Sequence, residues 1–346
     1  MRTYLDHNAT TPLRPEARAA MLAAMEVQGN PSSVHAEGRL AKGLIERARA
    51  QVATALGADG ADVVFTSGAT EAAALACAGR NLVCAAVEHD AVSAWCDPVL
   101  PVSGDGIVTV ADPARTALQF ANSETGVVQE LPAGLAVSDL TQAFGKLPIA
   151  FNWLGVDMAL VSAHKLGGPK GIGALVLKRG LDFVPRLRGG GQEMGRRPGT
   201  ENLIGIAGFG AAAEAAARDL ADGIWDRVAE LRNTLNQALS AIGFETISVG
   251  NRVRRLPNTL CLIAPGWKGE TQVMALDLAG FAISAGSACS SGKVRASRVL
   301  RAMGYDEALA GQAIRVSLGP LTTEGDVLRF AEVWGREYKR IRARVA

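Results

Sequence analysis

Apolar positions follow a helical period near the start of the chain. Residues 15–27 and 36–56 each carry apolar side chains on one face, and the second segment stops at Gly57, as glycine commonly ends a helix. The apolar run 62–66 then passes through a turn of small residues into an alanine-rich helical segment over 71–79. A strand, a turn and a helix in this order predict a helix N-terminus whose free N–H groups can bind a phosphate.

Further apolar runs of strand length follow, at 82–87, 116–121, 135–140, 158–162 and 173–177. Because helices and loops separate some of them, these runs predict a mostly parallel α/β sheet. An alanine-rich helical stretch over 204–242 can carry the chain from a large sheet domain into a smaller one. Beyond it we predict strands at 259–263, 281–284 and 313–317 and helices at 270–279, 294–303 and 323–344.

Composition and charge narrow the classes of function. The 346 residues are 48% hydrophobic and 20% charged, with a net charge of +2, which is ordinary for a soluble globular protein. So small a net charge argues against nucleic acid or an anionic membrane as the main partner. The chain has no apolar stretch long enough to span a membrane, and its N-terminus lacks the apolar core of a signal peptide. We therefore expect a cytoplasmic protein.

The five cysteines are an odd number and form no C-x-x-C pair, which argues against a disulfide framework or a zinc site. Four of them lie in apolar segments, where we predict that they pack in the core. These four are Cys77, Cys84, Cys96 and Cys261.

Cys289 differs from the other cysteines. It lies in a run of very small residues, 284–292, with Lys293 and Arg295 close behind. Such a loop is typical of an exposed cysteine, and the positive charges favour its thiolate form. The alternative is a small residue that merely fits a tight turn.

Lys165 follows the apolar run 158–162 and precedes a glycine-rich turn. The strand would carry this lysine to the carboxyl edge of the sheet, where α/β proteins bind ligands. A desolvated lysine amine can form a Schiff base with a carbonyl compound. A surface lysine in a tight turn is an equally good interpretation of this segment alone.

Asp139 and His89 also follow apolar runs. A carboxylate at Asp139 can keep a pyridine nitrogen protonated, which makes the ring an electron sink; considered alone, a helix N-cap is the favoured interpretation. The imidazole of His89 can stack on a planar ring or transfer protons near neutral pH, whereas a hydrogen-bonded loop histidine is the simpler explanation.

Arg315 is a lone arginine inside the apolar strand 313–317. A buried guanidinium needs an anion, and the carboxylate of an amino acid matches its two-pronged geometry. The alternative is an internal salt bridge.

Together, seven short motifs occur in the order found in cysteine desulfurases. They are YLDHNATTP at 4–12, GNPSSVH at 29–35, FTSGATE at 65–71, SAHK at 162–165 with GPKG at 168–171, GGGQE at 189–193, RPGT at 197–200 and GSAC at 286–289. From about residue 4 to about residue 330 the chain resembles the NifS/IscS-like branch of the class-V aminotransferase-fold enzymes.

The resemblance implies the fold of type I transferases that depend on pyridoxal 5'-phosphate. A large domain would span 15–222, and a smaller α+β domain would combine 1–14 with 223–346 and carry the Cys289 loop. The implied reaction removes sulfur from L-cysteine, which gives L-alanine and a persulfide on Cys289 for iron–sulfur cluster assembly or other sulfur transfer. The implied partners are a sulfur acceptor or scaffold protein and a second copy of the chain in a homodimer.

The resemblance also implies roles for individual residues. Lys165 would be the Schiff-base lysine and proton shuttle, and His89 would stack on the cofactor ring and assist proton transfer. Asp139 would pair with the ring nitrogen, while Gln142 would contact the ring hydroxyl. The implied phosphate ligands are Ala69, Thr70, Ser162 and His164, joined by Thr200 from the neighbouring subunit.

The substrate carboxylate would bind Arg315, helped by Asn30. Cys289 would attack the substrate sulfur, and transient iron–sulfur ligation by this thiol is possible; no resident metal is expected. Ser123 stands where the family usually has an asparagine that contacts the ring hydroxyl, and Leu140 replaces a small residue beneath the ring.

The chain is short for this family, with segments 79–88 and 128–138 trimmed. Rival interpretations are a selenocysteine lyase or another class-V transferase, or a low-activity, partner-dependent sulfur-transfer protein.

Overall fold

The computed structural model describes residues 2–243, 245–286 and 296–345. The strands are β1 (Thr3–Tyr4), β2 (Asp62–Thr66), β3 (Val83–Ala85), β4 (Asp97–Leu100), β5 (Ala117–Gln119), β6 (Leu135–Asp139), β7 (Val156–Ser162), β8 (Gly173–Leu177), β9 (Ile247–Ser248), β10 (Thr259–Ile263), β11 (Phe281–Ala282), β12 (Ser284–Ala285) and β13 (Ala313–Ser317). The helices are α1 (Pro15–Met25), α2 (Ala36–Ala55), α3 (Ala69–Cys77), α4 (Asp90–Ser93), α5 (Leu203–Ala221), α6 (Ile224–Ser240), α7 (Gly269–Leu278), α8 (Arg298–Ala302), α9 (Glu307–Ala310) and α10 (Glu324–Val345).

A five-stranded sheet in the order β2-β8-β7-β6-β5 forms the centre of the first half of the chain. Strands β5, β6 and β7 pair in parallel, whereas β8 is antiparallel to both of its neighbours. The short glycine-rich connection after β7 explains the reversal, because a parallel return requires a crossover of a dozen or more residues. The predicted mostly parallel α/β sheet is confirmed, with β8 as its reversed strand.

Helices cover both faces of this sheet, which is why its strands are apolar almost throughout. Side chains of α2 and α5 pack with Phe65 and Val161 on one face. Helix α3 packs with Val64 and Leu160 on the other face. Val64 and Phe65 are neighbours in the chain, as are Leu160 and Val161. The members of each pair face opposite sides of the sheet because side chains alternate along a strand.

The helical stretch predicted over 204–242 is two helices rather than one. Helix α5 ends before Gly223, which adopts a left-handed conformation with φ of 70° and stands at the N-cap of α6. Glycine tolerates this conformation without steric cost, so the chain can change direction there. The predicted strand 281–284 is likewise divided, since β11 pairs with β1 and β12 pairs with β13.

A second sheet, in the antiparallel order β12-β13-β10-β9, lies in the C-terminal part of the chain. Strands β10, β12 and β13 share an apolar core with α6, α7 and α10, to which the N-terminal Leu5 also contributes. Since β1 pairs in parallel with β11, the N-terminus is bound to this C-terminal core. This packing supports the predicted assignment of 1–14 and 223–346 to one domain, which stays a prediction.

The four cysteines predicted to pack in the core are buried, so that prediction is confirmed. Among the described residues no helix is both long and apolar enough to cross a membrane. Cys289 lies outside the described residues.

Candidate active site

A cavity of about 820 Å³ lies at the carboxyl ends of β6 and β7, the edge where α/β sheets bind ligands. Most of the residues that the sequence predicted for the site line it together: Ala69, Thr70, His89, Ser123, Asp139, Gln142, Ser162, His164, Lys165 and Arg315. These positions are far apart in the chain, so the fold is what assembles them.

Lys165 ends a single 3-10 turn that directly follows β7. Its Nζ donates hydrogen bonds to the backbone oxygens of Asn8, at 2.6 Å, and Ala9, at 2.9 Å. Thr11, in the N-terminal segment, also binds this turn, since its hydroxyl donates to the Lys165 carbonyl at 3.0 Å. The amine is half-buried at the cavity wall, and these two backbone oxygens help to hold it there.

Asp139 ends β6, and its Oδ1 accepts the backbone N–H of Thr141 at 2.8 Å. The helix N-cap that the sequence favoured does not form, because turns rather than a helix follow Asp139; the carboxylate caps a turn instead. The same carboxylate lines the cavity, so capping and ligand binding are compatible. Beyond it, Gln142 donates from Nε2 to the backbone oxygen of Asn8 at 2.9 Å.

His89 is the N-cap of α4, and its Nδ1 accepts the N–H of Ala91 at 3.1 Å. This is the hydrogen-bonded loop histidine of the simpler explanation, and the ring also lines the cavity. Because Nδ1 is an acceptor here, a neutral ring carries its proton on Nε2.

The N-terminus of α3 contributes Ala69 and Thr70 to the cavity, and the first N–H groups of a helix have no acceptor within it. His164 also lines the cavity, with its Nδ1 3.1 Å from the hydroxyl of Thr10. Burial, followed by the charges of Lys165 and Lys170, lowers the pKa of His164 to about 4. At neutral pH it is an uncharged hydrogen-bonding group, and the lysines supply the positive charge.

Arg315 lies on β13 and is 5% exposed. Its Nη2 pairs with Asp6 at 2.7 Å, and its Nη1 donates to the backbone oxygen of Ser123 at 3.1 Å. The internal salt bridge that the sequence left open therefore exists. Its Nε is buried and has no hydrogen-bond partner among the residues that the structure describes.

Two predicted residues lie apart from this cavity. Asn30 is exposed, and its Oδ1 accepts the N–H of Ser32 at 2.9 Å. Thr200 is also exposed and lines a smaller cavity of about 230 Å³, which shares Ser67 and Gly171 with the larger one. A third predicted residue, Cys289, lies outside the described residues.

The main residue that the sequence reasoning missed is Asn8, which is 1% exposed and lines the cavity. Its backbone oxygen accepts from Lys165 and Gln142. Its side chain donates to the Ser123 carbonyl at 3.2 Å and to the Thr259 hydroxyl at 2.8 Å. Its position inside the 4–12 motif was the available signal, but only the tertiary structure reveals these partners.

Two buried ionisable residues were also missed. Glu88 is 1% exposed and lines the cavity. Burial raises its pKa well above the usual value, although a hydrogen bond from the backbone N–H of Gln119 opposes this by favouring the ionised form. Lys146 is 2% exposed and donates to Gln142. A lysine within the otherwise apolar run 143–147 was the sequence signal for it.

The fold and cavity define a class: an α/β protein with a lysine and a carboxylate at the carboxyl edge of its sheet. The profile of the family "Aminotransferase class-V" matches this chain over residues 3–97 and 111–330, and these ranges include every described residue that lines the cavity.

Similar proteins narrow the class. A cysteine desulfurase from Cereibacter sphaeroides is 41% identical, with 96% of this chain and 94% of the relative covered. The cysteine desulfurase IscS of Dictyoglomus turgidum is 35% identical, with 98% and 95% covered. The solved structure of a NifS-like protein from Rickettsia africae has a TM-score of 0.88 at 32% identity, with 98% of this chain and all of that chain covered. The chain belongs to the NifS/IscS-like cysteine desulfurase family within the class-V aminotransferases.

A solved structure of SspA in complex with cysteine is also similar, with a TM-score of 0.75 at 28% identity. It covers 93% of this chain and all of the SspA chain.

Proposed function

We propose that the chain is a cysteine desulfurase that depends on pyridoxal 5'-phosphate and converts L-cysteine to L-alanine, with Cys289 receiving the sulfur. The observation that carries this proposal is that Asp139, at the end of β6, and Lys165, in the turn after the adjacent β7, line one cavity. The family of the chain and the SspA structure with cysteine support the same reading.

The residues of the cavity fit the cofactor. Its phosphate would bind at the N-terminus of α3 beside Ser162 and His164, where the lysines provide positive charge. Asp139 would hold the ring nitrogen, and Lys165 would bind the aldehyde carbon. When bound, pyridoxal phosphate supplies an electron sink for the charge that develops at the substrate Cα.

The chain's own groups bind the substrate and move its protons. We propose that the guanidinium of Arg315, whose Nε has no hydrogen-bond partner among the described residues, contributes to binding the substrate carboxylate, which forms strong charge-assisted hydrogen bonds with a guanidinium. Lys165 Nζ takes up the proton that leaves Cα, and His89, with its proton on Nε2, assists proton transfer.

Cys289 completes the reaction without an external oxidant. The C–S bond of L-cysteine breaks, and an S–S bond forms between its sulfur and the Cys289 thiol. The electron pair of the broken bond remains on the β-carbon, which takes a proton and becomes the methyl group of alanine. Persulfide sulfur would then pass to an acceptor or scaffold protein for iron–sulfur clusters or another product.

We also propose a cytoplasmic homodimer in which Thr200 reaches the phosphate site of the neighbouring subunit. The exposure of Thr200, beside a smaller cavity that adjoins the larger one, supports this arrangement.

The test begins with the absorbance of the purified protein after pyridoxal phosphate is added. We expect a yellow band in the wild type and in Cys289→Ser, and none in Lys165→Met. Lys178→Met is the matched control, since that lysine is 41% exposed in its side chain and forms a surface ion pair; it should retain the band.

Alanine and sulfide are then measured with L-cysteine and a thiol reductant. The wild type should form both, and Cys289→Ser should lose both while it keeps the yellow band. A wild type that remains colourless would contradict the cofactor assignment. Undiminished alanine formation by Cys289→Ser would remove Cys289 as the sulfur acceptor, and keto-acid formation in place of alanine would indicate an aminotransferase.

A further inference from the structure

Lys146 is a buried amine at the back of the cavity wall. It is 2% exposed, and its Nζ donates to the backbone oxygen of Gln142 at 3.1 Å and to the side-chain Oε1 of Gln142 at 2.9 Å. In the part of the chain that the structure describes, no carboxylate lies within ion-pair distance of it. Its acceptors are therefore both provided by Gln142.

Such an amine is costly to bury. Burial, followed by the charges of Lys165 and Arg315, lowers the pKa of Lys146 to about 7. A leucine or methionine at this buried position would avoid that electrostatic cost. Packing alone therefore does not explain a lysine here.

What the amine does is fix the orientation of one amide. The backbone oxygen of Asn8 can only accept hydrogen bonds, so the amide nitrogen of Gln142, 2.9 Å away, must be the atom that faces it. Lys146 approaches the other atom of the amide, Oε1, as a donor. Two independent contacts thus select the same orientation of a group whose two ends are otherwise interchangeable.

The NH2 group of Gln142 keeps a second hydrogen after it donates to Asn8, and Gln142 lines the cavity. We propose that Lys146 is a positioning residue, which locks the Gln142 amide so that its NH2 group donates to the ring oxygen of pyridoxal phosphate. The proposal rests on the proposed function, because it concerns the same cofactor.

The serine at position 123 increases the importance of this contact. Its backbone oxygen already accepts from Asn8 and Arg315, and its hydroxyl is shorter than the amide of an asparagine. Gln142 would then be the principal amide donor to the ring oxygen, and its orientation decides whether it presents a donor or an acceptor.

Binding of two ligands by the cofactor-free protein tests the inference without reference to activity. One ligand is pyridoxal phosphate, and the other is 3-deoxypyridoxal phosphate, which lacks the ring oxygen. Lys146→Met should weaken the affinity for pyridoxal phosphate about ten-fold, as expected for one hydrogen bond to a charged acceptor. The affinity for the deoxy analogue should stay near that of the wild type.

A double-mutant cycle with Gln142→Leu shows whether Lys146 acts through Gln142. In the Gln142→Leu background, Lys146→Met should have no further effect on pyridoxal phosphate binding. Lys178→Met, which removes a lysine whose side chain is 41% exposed, should change neither affinity. If Lys146→Met does not fold, Lys146→Arg is used instead; it retains a donor and should preserve the preference for the ligand with the ring oxygen.

Several results would overturn the inference: unchanged binding by Lys146→Met, equal weakening for both ligands, additive losses in the double mutant, or a lost preference in a folded Lys146→Arg. A wild type that binds neither ligand would instead contradict the proposed cofactor, so the two failures are distinguishable.

Discussion

The ion pair between Asp6 and Arg315 connects the N-terminal segment to the cavity. The two side chains are 16% and 6% exposed, with 2.7 Å between Asp6 Oδ1 and Arg315 Nη2. Asp6 Oδ2 also accepts the hydroxyl hydrogen of Ser284 at 2.8 Å. We predict that Asp6→Asn, which is nearly isosteric, destabilises the protein strongly because it leaves the Arg315 guanidinium buried without its counter-charge.

The expected magnitude follows from the low exposure of the pair. Removal of one partner of a buried ion pair costs about 3–5 kcal/mol, since the remaining charge is still desolvated. The pair between Lys178 and Asp157 has a similar distance, 2.9 Å, but its side chains are 41% and 36% exposed. Water screens such a pair, so Asp157→Asn should cost at most about 1 kcal/mol.

Urea unfolding of the two asparagine variants beside the wild type measures both losses. Asp6→Asn should lower the unfolding midpoint clearly more than Asp157→Asn, with an unchanged dependence on urea. The KM for L-cysteine should also rise in Asp6→Asn, because Arg315 is then less firmly oriented. Equal losses below about 1 kcal/mol in both variants would refute the argument from burial.

Three further predictions concern other parts of the fold. Burial, followed by the charge of Lys146, lowers the pKa of His7 to about 4. Between about pH 6.5 and 4 the unfolded chain therefore binds more protons than the folded protein does, so the free energy of unfolding should fall as the pH falls through this range. His7→Gln should make this fall shallower in urea titrations at several pH values, and an identical slope would contradict the assignment. Gly319→Ala should lower the melting temperature by several degrees, because an added Cβ would overlap the ring of His7; an unchanged melting temperature would show that the ring moves aside readily. Glu193→Gln should destabilise the protein by about 1–3 kcal/mol in the same unfolding assay, since Arg49 donates to both carboxylate oxygens of Glu193, at 2.8 and 2.9 Å, and the Glu193 side chain is 2% exposed. A neutral effect would mean that the pair does not contribute.

Local patterns were enough to predict most elements and several site residues. The apolar patterns of the strand that ends at Thr66 and of the helix that follows it depend only on residues that are close together in the sequence. Lys165, Asp139 and His89 were identifiable because each polar side chain follows directly after an apolar run, at an edge where the chain emerges from the core.

The reversed direction of β8 was not predicted, although the short connection after β7 indicates it. The break between α5 and α6 at Gly223 was also not predicted. Glycine inside a helical pattern is compatible with a continuous helix, and only its φ of 70° in the folded chain shows a change of direction.

The sequence by itself determined which chemical groups the chain can bring to a site: one lysine and one carboxylate after buried strands, an arginine within another strand, and a cysteine in a run of small residues. Only the tertiary structure decided which of them meet. Asn8 contacts Lys165 across 157 positions, and Arg315 pairs with Asp6 across 309. Hydrogen bonds and ion pairs depend on distances of a few ångströms between atoms, and such distances between remote segments are set by the packing of the whole chain rather than by any local pattern.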